Sequence, residues 1–186
     1  MESLEDIIKG CQRNKIKYQK MLYDRFADTM FGICLRYAKT KEEAEDIFQE
    51  GFIKVFKYVD KYRHTGSFEG WVRKIFLNTA ISNFRNNKHK YYHAQIEVTE
   101  RNLPLVEYEE LSYTEEELLS VINELPDGYR LVFNLFVIEG YKHKEIAKML
   151  DIDESTSKTQ LFRARRLLQE RLMMISKRKQ IKAEKG

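Results

Sequence analysis

The sequence predicts an all-α chain: two small helical domains joined by a flexible acidic linker, the second a four-helix domain ending in a helix-turn-helix. Three observations predict it. Apolar residues recur at spacings of three and four, and no stretch of any length alternates as a strand does. Only two prolines and eight glycines punctuate 186 residues. Charge is laid out in blocks: residues 1–60 hold 11 basic and 11 acidic side chains, 61–92 hold seven against one, 93–126 one against nine, and 127–186 fourteen against eight. Two basic blocks flanking an acidic one suit a chain that holds a polyanion at two places and keeps its middle off it.

The first dozen residues are weakly patterned. From Ile16 to Lys39, Leu22, Phe26, Met30, Ile33 and Tyr37 form a helix stripe. Thr40 is a good N-cap for the next helix, and Glu42 and Glu43 suit its first turn. That helix runs to about Asp60 with an aromatic and aliphatic seam of Ile47, Phe48, Phe52, Val55, Phe56 and Val59. Asp46, Gln49, Glu50 and Lys54 sit on its other faces. Residues 62–67 read as a loop, and Ser67 caps a helix whose apolar side is Phe68, Trp71, Val72, Ile75, Phe76 and Thr79. The polar remainder is Arg73, Lys74, Asn78, Ser82, Asn83, Arg85, Asn86, Asn87 and Lys88. Such a face grips phosphates and presents amides to exposed bases. Tyr58, Tyr62, Phe68 and Trp71 are candidate stacking platforms, although each ring alone is more often core.

From about Asn87 to Ser112 no period persists, and acids crowd around Pro104. This is linker composition, long for a loop inside a compact domain. Thr114 and Glu117 form a capping box ahead of Leu118, Leu119 and Ile122, and Leu125-Pro126 ends that helix. A helix from about Tyr129 carries Leu131, Val132, Leu135 and Phe136 and stops at Glu139-Gly140. A short amphipathic helix with Ile146, Ala147 and Leu150 follows, then the turn Asp151-Ile152-Asp153. Asp153 caps a last helix with Leu161, Ala164, Leu168 and Leu172 on one side and Lys158, Thr159, Arg163, Arg165 and Arg166 on the other. Two helices at a tight turn, the second basic, make a helix-turn-helix whose second helix offers its first turns to base edges. An ordinary helical hairpin with a solvated charged face has the same pattern. After Leu172 the chain reads as a basic, frayed tail. The domains are thus expected over 10–92 and 113–176, with 93–112 as linker.

Cys11 and Cys34 are neither a disulfide framework nor a metal spacing. No apolar run reaches transmembrane length and no signal peptide is legible, so a cytoplasmic protein is expected. His64, His89, His93 and His143 are scattered, and no glycine-rich phosphate loop occurs, which speaks against an enzyme, a metal and a cofactor.

Four ordered blocks resemble the sigma-70 family of bacterial RNA polymerase sigma factors, in its extracytoplasmic-function type. Residues 43–52, EAEDIFQEGF, resemble the family's D-x-x-Q-E-x-F segment. Phe68, Trp71, Ile75, Asn78 and Ala80 resemble F-x-x-W-L-x-x-I-A-x-N. Leu125-Pro126, Arg130-x-Val132-Phe133-x-Leu135, Glu139-Gly140, Glu145-Ile146-Ala147 and Phe162-Arg163-Ala164-Arg165 are similar to region four. Ser82 stands where the family often has Asp, Asp151 where the turn often has Gly, and Ser155-Thr156-Ser157 where Gly-Thr-Val is usual. These departures imply a promoter unlike the commonest ones.

The resemblance implies a transcription initiation factor without catalysis. Asp46, Gln49, Glu50 and Lys54 would dock on the clamp of the largest subunit of RNA polymerase core, and region four on its flap. Lys61, Arg63, Arg73, Lys74, Asn78, Ser82, Asn83, Arg85, Asn86 and Lys88 would hold the non-template strand of the −10 element. Lys144, Glu154, Ser155, Thr156, Lys158, Thr159, Gln160, Arg163, Arg165 and Arg166 would meet duplex DNA at −35. The resemblance also implies an anti-sigma partner, often membrane-associated. A stand-alone helix-turn-helix regulator and a protein-interaction module are the rival readings.

Overall fold

The computed structural model describes residues 2–86 and 113–183, and every regular element among them is helical. The chain divides into two compact units, residues 1–87 and 88–186. The expected linker over 93–112, and Lys88 of the candidate −10 set, lie outside the described residues.

The first unit has four helices: α1 (Leu4–Gln12), α2 (Ile16–Tyr37), α3 (Lys41–Tyr58), closed by a 3₁₀ turn (Val59–Lys61), and α4 (Phe68–Asn86). The weakly patterned start is therefore a helix. Ser3 caps α1 by accepting from the Asp6 N–H at 3.1 Å, and Ile7, Ile8 and Cys11 are buried. Leu4, Ile7, Ile8 and Cys11 stand at the i, i+3, i+4, i+7 spacing of one helix face, so a short local signal was there, and α1 packs that face on α2. The expected α2 stripe of Leu22, Phe26, Met30, Ile33 and Tyr37 is buried throughout. Thr40 accepts from the Glu43 N–H at 3.2 Å and Ser67 from the Gly70 N–H at 3.0 Å, so both expected caps are in place.

An aromatic core holds α2, α3 and α4 together. Phe48 meets Tyr23, Phe31, Phe52 and Phe76 at ring separations of 5.1–6.1 Å, in the edge and tilted arrangements that the ring quadrupole favours. Phe76 is wholly buried. Gly51 on α3 lets it in, because the ring of Phe76 occupies the place a Cβ would take.

The second unit has α5 (Glu115–Asn123), α6 (Asp127–Phe133), which widens into a π-helical segment (Asn134–Ile138), α7 (His143–Leu150) and α8 (Glu154–Ala183). The Thr114–Glu117 capping box is formed. Helix α6 starts two residues before the expected Tyr129, from Pro126, whose fixed φ is ready for a helix start. Gly140, at φ 75°, ends the π segment as expected. Val121, Leu125, Ala164 and Leu168 form one buried cluster, and Leu131, Val132, Leu135, Ile146, Leu150 and Leu161 are also buried.

Helix α8 does not fray after Leu172; it continues to Ala183. Tyr113 Oη lies 2.7 Å from Ser176 Oγ, Lys179 Nζ donates to Glu117 Oε2 at 2.7 Å, and Leu172 and Ile175 pack on the Val121 cluster. The basic residues of this stretch hid an inner face of Leu172, Ile175, Ser176 and Lys179. A chain ending at Leu172 keeps that residue and loses the rest of the face. The second unit is expected to lose about 2 kcal/mol, from one apolar side chain and one hydrogen bond. Denaturant unfolding followed by far-UV circular dichroism checks it.

Candidate nucleic-acid interfaces

In the second unit α7 and α8 meet at a tight turn built on Asp151. Its φ of 55° and ψ of 56° are left-handed, and its N–H donates to the Ala147 carbonyl. Aspartate visits this region more readily than bulkier side chains, so it serves where the related pattern has glycine. The Ile152 N–H reaches the same carbonyl at 3.0 Å.

The first three turns of α8 carry most of the candidate −35 set. Glu154, Ser155, Lys158, Thr159, Arg163 and Arg165 are exposed, as is Lys144 on α7. Lys158 Nζ pairs with Glu154 Oε1 at 2.8 Å, and that bond holds the Glu154 carboxyl below its usual range. The pair lies at the surface, where water and salt screen it, so it can be exchanged for other partners at little cost. Thr159 Oγ1 donates to the Ser155 carbonyl at 3.0 Å, and Arg163 Nη1 donates to Tyr129 Oη at 3.2 Å.

Three of the set are less outward than expected. Thr156 is half-buried. Gln160 is half-buried and its amide lies against Gly128 of α6, 2.9 Å from where a Cβ there would be. Arg166 is only 13% exposed and pairs through Nε with Glu170 at 3.5 Å. In their place the structure presents Phe162, 68% exposed, on the same face as Ser155, Lys158 and Thr159. A large ring left in water there is a candidate contact that charge-based reasoning passed over. The i, i+3, i+4, i+7 spacing from Ser155 was the available signal.

Ser157 is the hydroxyl that stands where the related pattern has valine. It is wholly buried, and its Oγ lies 2.9 Å from His143 Nδ1. Phe136 stacks on that imidazole at 4.4 Å. Burial lowers the His143 pKa from its ordinary value; the Lys158 and Arg165 charges lower it further, while Glu154 opposes them.

In the first unit, Lys74, Asn78, Ser82 and Arg85 are exposed at spacings of four, four and three, so they form one stripe along α4. Asn86, Lys61 and Arg63 are exposed too, and Arg73 is half-buried. Asn83 is turned inward: its amide donates to Glu43 Oε1 at 3.1 Å, while Glu43 Oε2 accepts from the Lys39 N–H at 2.7 Å. It ties α4 to the start of α3.

Among the candidate stacking rings, Phe68 is buried, and Tyr58, Tyr62 and Trp71 are half-buried. Tyr62 is the hub, 4.6 Å from His64, 5.0 Å from Phe68 and 5.7 Å from Trp71, with its hydroxyl donating to the Gly66 carbonyl at 2.6 Å. Beside this loop opens a cleft of about 330 Å³ whose walls include Ile8, Arg25, Tyr62, His64, Ser67 and Glu69.

A third surface lies on α3. Asp46, Gln49 and Glu50 are exposed, and Ile53, 65% exposed, extends them by one turn. An exposed isoleucine among them was not singled out from sequence, although its i+7 spacing from Asp46 was the available signal. Lys54 is half-buried. Its Nζ pairs with Glu50 Oε1 at 2.7 Å and donates to the buried Thr79 Oγ1 at 3.2 Å, bridging α3 and α4. Among the described residues no His, Cys, Asp and Glu side chains cluster as metal ligands, and no helix is long and apolar enough to cross a membrane.

Two family descriptions match this chain in order, Sigma-70 region 2 over residues 22–90 and Sigma-70 region 4 over residues 115–168. It is 32% identical to the ECF RNA polymerase sigma factor SigW of Bacillus subtilis over 166 residues, 81% of this chain and 87% of that protein. It is 24% identical to the ECF RNA polymerase sigma-E factor of Haemophilus influenzae, over 92% of this chain and 97% of that one. Among solved structures, it is similar in fold to the sigma factor RpoE from Bartonella quintana in its complex with the anti-sigma factor NepR. There the TM-score is 0.52, the identity 19%, and the match covers 85% of this chain and 98% of that one.

Proposed function

The chain belongs to the sigma-70 family, among its extracytoplasmic-function sigma factors, and we propose how its surfaces divide the work of transcription initiation. It acts in the cytoplasm as a specificity subunit that binds RNA polymerase core and carries no catalytic step. Residues 10–92 serve as region two and 113–176 as region four, with the acidic 93–112 between them. The observation that carries this division is that each unit has its own exposed cationic face, and the region 2 and region 4 matches fall on them in order. Two modest grips on one promoter then reinforce each other through the linker. A stand-alone regulator is not favoured, because the region 2 match takes in most of the first unit, which such a protein does not need.

Asp46, Gln49 and Glu50 dock on the polymerase clamp, with Ile53 adding apolar contact. Lys54 acts from behind, holding Glu50 and α4 in register. Lys74, Asn78, Ser82 and Arg85 track the displaced strand at −10, helped by Lys61, Arg63, Arg73, Asn86 and Lys88. The cleft beside Tyr62 and His64 receives a base taken out of the stack, so recognition and melting are coupled. Asn83 supports this face from behind. At −35, Ser155 and Thr159 meet base edges and Phe162 meets a thymine methyl. Lys144, Lys158, Arg163 and Arg165 neutralise phosphate, and Thr156, Gln160 and Arg166 position the helix. A membrane-associated anti-sigma protein holds the free form.

Run-off transcription with purified core on a promoter library tests the whole reading. No initiation from any defined sequence would overturn it. Within it, Arg165→Ala is expected to weaken promoter binding across sequences and lower the salt slope by about one. Thr159→Ala is expected to change preference at one −35 position by about 1–3 kcal/mol. Equal, sequence-blind effects of both would remove the assigned roles.

A further inference from the structure

His143 and Ser157 take no part in the contacts assigned above, yet they form the joint between the two helices that must be held at a fixed angle. Ser157 is wholly buried on the inner face of α8. A buried hydroxyl needs a partner, and His143 Nδ1 at 2.9 Å is that partner. Phe136 of the π segment stacks on the imidazole with an interplanar angle of 23°, and the Arg165 guanidinium lies over the same phenyl ring at 5.9 Å. Three elements therefore meet at one titratable ring.

The joint keeps its hydrogen bond in either protonation state. A neutral Nδ1 accepts from the serine hydroxyl, and an imidazolium donates to it. Only the charge changes. The charged groups that face the ring are Lys158, Arg165 and Glu154 of α8. Lys144, next to His143 on α7, acts on the same Glu154, and the π segment contributes the uncharged Phe136.

We propose that His143 is a positioning residue for −35 recognition, and that docking of α8 on DNA is coupled to proton uptake by its imidazole. This rests on the −35 assignment above. In the free chain Lys158 and Arg165 oppose a positive ring. DNA phosphates neutralise those same cations and add negative potential, so the bound state holds the proton more tightly. By linkage, binding tightens as pH falls through the interval between the free and bound pKa values. Folding stability moves the other way. The ring's folded pKa is lowered, so its contribution is full above the unfolded value and is lost as pH falls through the folded one. Tighter binding in acid therefore cannot come from a firmer fold.

The test is the affinity of holoenzyme for a duplex carrying only a −35 element, from about pH 8 to about pH 6 at fixed ionic strength, the range where an ordinary histidine titrates. His143→Gln keeps a hydrogen-bonding side chain for Ser157 but cannot titrate. The wild type is expected to tighten on acidification more than the variant does, by up to about tenfold per unit of pKa rise. Every other titrating group is common to both proteins and cancels. Equal pH slopes, or a wild type that weakens more in acid, would overturn the proposal. Should His143→Gln fail to fold, the paired change His143→Leu with Ser157→Val replaces the joint by an apolar one and is read in the same way. Failure of the −35 assignment itself looks different: no sequence preference at any pH.

Discussion

Replacing Arg130 by alanine is expected to cost the second unit about 3–5 kcal/mol, the range for breaking a buried ion pair by removing one partner. Arg130 is 3% exposed; its Nη2 donates to Asp127 Oδ1 at 2.7 Å and its Nη1 to the Asn123 carbonyl at 3.3 Å. The guanidinium thus joins the end of α5 to the start of α6. Without it the Asp127 carboxylate, 11% exposed, loses its ion pair, and the Asn123 carbonyl loses a donor. Lysine restores the charge but not the two-pronged geometry, so Arg130→Lys is expected to fall between. Typical domains are stable by about 5–15 kcal/mol, so the alanine variant should melt a large share of its helix early. The single tryptophan, Trp71, lies in α4 and reports only the first unit. Early loss of far-UV ellipticity with an unmoved tryptophan transition is the expected pattern. Unfolding like that of the wild type would show that the buried pair is dispensable.

The second large effect is Gly51→Ala. Helix propensity alone says this change should help, because glycine inside a helix costs about 0.5–1 kcal/mol relative to alanine. Packing says the opposite. A Cβ at Gly51 would stand 2.7 Å from Phe76 Cδ1 and 2.8 Å from Cζ. Phe76 cannot swing aside, since it is wholly buried with Phe52 at 5.2 Å and Phe48 at 6.1 Å. Overpacking of this kind costs about 1–3 kcal/mol, occasionally more, and a clash with a fixed ring belongs at the upper end. The net sign is therefore destabilising. Here the tryptophan transition should move to lower denaturant, the reverse of the Arg130 pattern. Core binding should weaken with it, because Gln49 and Glu50 precede Gly51 directly. A variant as stable as the wild type would show that α3 and α4 can part to admit a methyl group.

The fold was legible wherever the pattern was local and long. The α2 stripe, the α3 seam and the caps at Thr40, Ser67 and Thr114 each follow from a few neighbouring residues, and the structure has them. Two elements were missed, one in spite of a local signal and one because tertiary packing decides it. Helix α1 carries Leu4, Ile7, Ile8 and Cys11 at helical spacing behind the cap Ser3, but over only nine residues. The end of α8 reads as basic tail until Tyr113, Glu117 and Val121 are set against it. At the candidate sites, sequence named the residue types but not their directions. Asn83 and Lys54 look like surface contacts by type, and each bonds inward to a neighbouring helix. Arg166 is an outward cation by type, yet it is largely buried and pairs with Glu170 one turn on. Ser157 was noted as a hydroxyl in place of a packing valine, but its partner lies 14 residues away on another helix, out of reach of any local pattern.

The widened turn after α6 has a consequence for what evolution can alter there. The Glu139 N–H reaches back five residues to the Asn134 carbonyl, at 3.0 Å, so this turn houses one residue more than a regular helix would. Deleting any one residue of Asn134–Ile138 would let the ladder close in ordinary register. The residues on either side would then keep their phase, because the widened turn already absorbs the extra residue's share of about 100°. A single-codon loss inside this segment is thus expected to leave α7 and α8 facing as before, whereas the same loss from the regular turns of α6 would turn both by that angle.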